Sequence, residues 1–123
     1  MDDRARVIAA LRGVYGSAAP VRVADPETAP VCPAVVVPPA ECVPLVTVGG
    51  GALLYGVTQA LRIAGRSFAQ LKSLAVQAEA AMAALGYRLS AIRFEDGPPR
   101  AVRLAFRAVF DTEGNVYHWE ENG

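Results

Sequence analysis

One histidine, two cysteines and a few serines and carboxylates are the groups this chain offers to catalysis. The histidine, His118, sits beside Trp119. A hydrolase triad would need it near Ser67 or Ser90 and near Asp96 or Asp111, because the imidazole must take the hydroxyl proton and a carboxylate must orient the imidazole. Neither serine lies in a nucleophile-elbow sequence, so the pattern predicts a strand-end histidine and no triad. Cys32 paired with His118 as a nucleophile has no better support, since a small buried cysteine is the commoner role. Cys32, Cys42 and His118 total three potential metal ligands without ligand spacing. The two cysteines make no disulfide framework and are expected to flank a bend as small apolar residues.

Other groups carry little chemistry. Gly49-Gly50-Gly51 is not a phosphate-cradling GxGxxG, and no Gly-Lys-Ser/Thr follows it, so it is expected to be a flexible joint. Glu95-Asp96 and Glu120-Glu121 are adjacent acids in a turn and near the C-terminus, where solvation is the ordinary fate. No cofactor and no metal are expected, and the chain is read as a non-enzyme. Three arginines stand out instead. Arg103 and Arg107 alternate with Ala101 and Ala105 along one strand, and Arg62 on another strand can join them. Such a face is either solvated or a partner surface, arginine being enriched at interfaces.

Several elements must position these groups. Apolar residues Val7, Ile8, Leu11, Val14 and Tyr15 recur at helical spacing behind Asp2 and Asp3, and Gly16 stands where a helix closes. Residues 17–51 hold seven of the nine prolines, with short apolar runs between them. Proline lacks the N–H of a central strand, so edge strands or extended loop are expected, without a continuous ladder over 38–56. Residues 52–64 alternate as a strand, with Val57, Gln59, Leu61 and Ile63 on one face and Thr58, Ala60 and Arg62 on the other. Ser67 and Gln70 have capping-box spacing at the head of a helix whose stripe is Phe68, Leu71, Leu74, Ala75, Ala78, Met82 and Leu85. Residues 87–94 and 100–111 read as strands joined by a Gly-Pro-Pro turn, and 116–119 as a short last strand. In the second of these, Val102, Leu104, Phe106, Ala108 and Phe110 face one way. The expected fold is α+β: one mixed, mostly antiparallel sheet with two helices packed on one face.

Composition narrows the classes. A chain of 123 residues, 53% hydrophobic and 20% charged, fits one domain over 1–123 with its own core, including the Pro/Gly-rich segment at 17–51. Twelve basic residues balance twelve acidic ones, which argues against a dedicated nucleic-acid binder and removes net repulsion between copies. The start, Met1-Asp2-Asp3-Arg4, does not read as a signal peptide, and a reducing cytoplasm is the expected compartment. No apolar run approaches ~20 residues, so no membrane-spanning helix is expected.

This order of elements resembles the tail-terminator (tail-completion) proteins of long-tailed bacteriophages. The likeness is carried by Val21-Arg22-Val23-Ala24-Asp25-Pro26 and Cys32-Pro33-Ala34-Val35-Val36-Val37 in the Pro-rich segment. Gln59-Ala60-Leu61-Arg62-Ile63-Ala64-Gly65-Arg66-Ser67-Phe68-Ala69-Gln70 is its strand running into a helix, and 101–110 its final strand. The resemblance implies a structural virion protein at the head-proximal end of the tail. Its subunits would form a hexameric homo-oligomeric ring that caps the tube, stops its polymerisation and joins it to the head connector. The implied partners are the major tail tube protein and a head connector or head-completion protein, with DNA passing through the lumen without sequence recognition. On this reading Arg62, Arg103, Arg107 and Gly49, Gly50 and Gly51 are candidate subunit or partner contacts. Another small neck or tail protein, and a small-molecule-binding α+β module, are the alternatives.

Overall fold

The order of elements in the computed structural model, which describes residues 3–17, 19–22, 33–96 and 100–117, is α1 (Arg4–Tyr15), β1 (Val21–Arg22), β2 (Ala34–Val36), β3 (Glu41–Val48), β4 (Gly51–Gly65), α2 (Phe68–Ala84), β5 (Arg88–Glu95) and β6 (Arg100–Asp111). The strands form one sheet in the order β1-β2-β4-β6-β5, and β3 also pairs with β4. Among the described residues only the β1–β2 pair is parallel. The fold is therefore α+β with a single mixed, mostly antiparallel sheet. His118, Trp119, Cys32, Glu120 and Glu121 lie outside the described residues, as does Asp2 and the 97–99 turn.

Strand periodicity decides which side chains enter the core. Along β4 and β6 the register partners Val57–Ala108, Gln59–Phe106, Leu61–Leu104 and Ile63–Val102 share the face beneath the helices. All eight are buried, and Phe106 and Phe110 are fully enclosed. From α1, Val7, Leu11 and Tyr15 pack into the same cluster; from α2, Leu71, Leu74, Ala78 and Met82. The Tyr15 hydroxyl donates to the Leu74 carbonyl at 2.6 Å and ties the two helices together. Two expected stripe members turn outward instead: Val14 is 41% exposed and Phe68 57%.

The helix starts use local chemistry. Ser67 Oγ accepts from Gln70 N at 3.1 Å, while Gln70 Oε1 accepts from Arg66 N at 2.8 Å. One unpaired N–H of the first helical turn, and the N–H of the residue before the cap, are thereby satisfied. Asp3 stands at the head of α1 but its carboxylate makes no cap bond; it pairs with Arg6 at 2.8 Å and accepts from Tyr87 OH at 2.9 Å.

Within the Pro-rich segment the structure corrects the expectation of a flexible joint, while an edge strand with an interrupted ladder is present as expected. β3 pairs with β4 from Glu41–Thr58 to Val48–Gly51, with register shifts only around Val46. Gly49 and Gly50, at φ 60° and 84°, form a two-residue turn with both central residues left-handed. That is the hairpin turn whose twist matches its strands, and glycine adopts it without steric cost. The triple glycine is thus a tight turn plus the first residue of β4. Pro44 is tolerated because β3 is an edge strand, its far side unpaired among the described residues.

β2 and β3 lie along the same side of β4, separated by Val37, Pro38, Pro39 and Ala40. Here the buried Gln59 side chain donates through Nε2 to the Pro38 carbonyl at 2.9 Å, a side-chain substitute for the missing rung. Its Oε1 has no partner among the described residues. The expected last strand is reduced, among the described residues, to one bridge from Val116 to Phe110, supported by Tyr117 N donating to the Val109 carbonyl at 2.8 Å.

Candidate interaction surface

Three of the residues weighed for catalysis make structural hydrogen bonds. Ser67 caps α2, Ser90 Oγ donates to the Ala105 carbonyl at 3.1 Å, and Asp111 Oδ1 accepts from the backbone N–H groups of Glu113 and Asn115 at 2.9 Å. Cys42 is a free, half-buried thiol packed against the core edge. Among the described residues no cluster of three or more His, Cys, Asp or Glu side chains could hold a metal.

The helix-free face of the sheet is built in rows, because register partners point the same way. One row is Ala64, Ala101 and Glu95; the next is Arg62, Arg103 and Arg93. Ala60, Ala105 and Ala91 follow, then Glu41, Thr58, Arg107 and Arg88. Arginine rows alternate with alanine rows. Arg103 and Arg107 are four residues apart on one strand, roughly 13 Å.

The structure brings Arg62 and Arg103 together and sets Arg107 two rows away. Arg62 Nε donates to Glu95 Oε1 and Arg103 Nε to Glu95 Oε2, each at 2.9 Å. Glu95 is thus no merely solvated turn acid, a correction to the expectation above. Its pKa feels burial pushing it upward, but hydrogen bonds from Arg103 and Arg62, with their positive charge, outweigh this and hold it below the ordinary value. Arg107 carries no such partner; it stands exposed between Thr58 and Arg88. Gly49, Gly50 and Gly51 lie elsewhere, at the hairpin tip, and do not join the arginines.

Glu95 was the residue the sequence alone did not deliver. Its role depends on a register that sets it opposite Ala101 and diagonal to Arg103. Beside Arg107 the same face sinks into an open depression of about 510 Å³, where Leu45, Gly56, Val109 and Tyr117 surround Arg88 and Ser90.

No family model matches this chain, and no curated protein matches it.

Proposed function

We propose that this chain is a structural assembly subunit, a tail terminator that forms a ring on the head-proximal end of a phage tail tube, stops its growth and joins it to the head connector. One observation carries the reading: the order of elements, helix, a Pro-rich segment containing short strands, a long strand running into the long helix, and two closing strands, is the order that the tail-terminator resemblance expects. The arginine face, bare of helices, supplies a surface of the kind such a subunit presents to a neighbour. Zero net charge adds no repulsion between copies. The role requires no cofactor, and the virion is its place of action.

Purified tails, labelled with an antibody against this chain, provide the test. A single ring of label at one end is the expected image; label repeated along the tube would reject termination in favour of another tail or neck role.

A second reading, a small-molecule-binding α+β module, draws on the depression beside Arg107, where Arg88, Ser90 and Tyr117 place polar groups against an apolar floor. Thermal shift against small phosphates and carboxylates tests it, with a ligand-dependent rise lost in Arg107→Ala as its expected signature.

A further inference from the structure

Among the described residues two apolar surfaces stand exposed, one concave and one projecting. The concave one is a groove of about 300 Å³ between α2 and the edge strand β5. Leu71 and Leu89 lie on its inner side, while Phe68, Val76, Ile92 and Phe94 are each more than half exposed along it. The Phe68 and Phe94 rings stand 5.8 Å apart across its end. Lys72 and Glu79 mark its rim. Ile92 and Phe94 lie in a strand with no proline, whose outer edge is unpaired among the described residues. Such an edge is a template for another chain unless something covers it.

The projecting surface is the end of the β3–β4 hairpin. Pairing between β4 and β6 begins at Leu54, so residues 51–53 extend past β6 and are held by β3 alone. Val46, Val48 and Leu53 are 42%, 65% and 49% exposed there. No charged residue occurs from Cys42 to Leu61, so this arm can enter an apolar groove without stripping water from a charge.

The two surfaces cannot meet within one molecule. β3 and β5 lie at opposite sides of the sheet. The groove borders Val102 and Leu104 at one end of β6, whereas the arm leaves beside Asp111 at the other, about 23 Å further along the strand at 3.3 Å per residue. They occupy diagonal corners, so only a second copy can bring an arm to a groove.

We infer that the hairpin arm of one copy docks into the α2–β5 groove of the next, a head-to-tail contact between copies of this chain. Because donor and acceptor surfaces differ, an open chain of copies keeps one free arm at one end and one free groove at the other until a ring closes. This deepens the ring reading and rests on it for the contact's purpose, but the contact itself is tested with the isolated chain, where no tail is involved.

The experiment uses two full-length variants, each with an exposed surface altered: Val48→Asp with Leu53→Asp in the arm, and Val76→Glu with Ile92→Glu in the groove. Circular dichroism first verifies that both keep the wild-type fold. Should a double variant unfold, its single exposed member, Val48→Asp or Val76→Glu, replaces it. Sedimentation is then followed from micromolar to near-millimolar protein. The wild type is expected to grow in mass with concentration, and each variant to stay at the 12.9 kDa of one chain. A one-to-one mixture is expected to give a species of twice that mass and no larger, since only one intact arm and one intact groove are left to meet. A wild type that stays monomeric throughout, a variant that associates like the wild type, or a mixture that stays monomeric would each overturn the inference. If the mixture pairs but labelled tails carry no terminal ring, the contact stands and the terminator reading falls.

Discussion

Arg62 on β4 lies directly opposite Arg103 on β6, and the two share one carboxylate, each donating from Nε to a different oxygen of Glu95 at 2.9 Å. Like charges directly opposite across a pair of strands destabilise it. Glu95, reaching in from β5, turns that repulsion into a three-strand clamp. Arg62 and Glu95 are 17% and 28% exposed, against 51% for Arg103, so the inner half of the clamp contributes more.

Replacing Glu95 by Gln should therefore lower stability by about 1 kcal/mol, the scale of a cross-strand charge pair. The pH dependence has a defined sign. The folded state holds the Glu95 pKa below its ordinary 4.5, so the folded state favours the carboxylate. The contribution is present above pH 4.5 and is lost as the pH falls through the lowered folded value. Urea melts of wild type and Glu95→Gln should differ at pH 7 and converge at strongly acid pH. A constant difference across that range would show that the carboxylate's charge is not what Glu95 supplies.

Sequence periodicity disclosed the layers of this fold better than its edges. On β6, buried residues alternate with exposed or half-buried ones without a break from Val102 to Phe110, and the large apolar side chains Leu104, Phe106 and Phe110 mark the buried face in the sequence. Ser67 and Gln70 marked the start of α2 because capping is local chemistry. The β3–β4 hairpin was hidden by two signals that ordinarily speak against a strand, a proline and a run of glycines. Pro44 does no harm on an edge, and Gly49-Gly50 is a hairpin turn only if the strands beside it pair. The Glu95 clamp and the α2–β5 groove depend on contacts across elements, which no local pattern encodes. Phe68 joined the apolar stripe by spacing, yet it sits on the exposed flank of α2, facing Phe94.

The helix–sheet boundary gives a direct test of the layers. Leu74 on α2 is 5% exposed and Leu104 on β6 is 2% exposed, both within one core cluster. Truncating either to Ala should cost about 2–5 kcal/mol, transfer and cavity terms combined. Thermal or urea melts that leave either variant at wild-type stability would contradict the packing.

Gly86 provides a sharper local test. Its φ is 96°, and a Cβ built there would lie 2.5 Å from Val116 Cγ2. Both strain and clash oppose a side chain, so Gly86→Ala should destabilise by roughly 1–3 kcal/mol. Combining it with Val116→Gly relieves the clash but not the backbone strain. Part of the loss should return in the double variant; recovery of all or none would assign the cost to one cause alone.

Arg107 separates stability from function on the arginine face. Arg103 is tied to Glu95, so reversing its charge would set two carboxylates together and cost stability whatever the face does. Arg107 stands exposed, with no ion pair to a described residue, so Arg107→Glu should change folding by only ~0–1 kcal/mol if that face is solvated. If the face meets a neighbouring subunit or the tube, the same reversal puts a wrong charge in a contact and costs several kcal/mol of association. The expected outcome is a variant with wild-type circular dichroism and melting whose tails overgrow and fail to join heads. The double reversal, Arg103→Glu with Arg107→Glu, should show the same failure together with a measurable loss of stability from the broken clamp. Tail length and head joining, measured beside the melt on each variant, distinguish the two effects. An Arg107→Glu protein that folds normally and still yields capped tails of normal length would return the arginine rows to solvent.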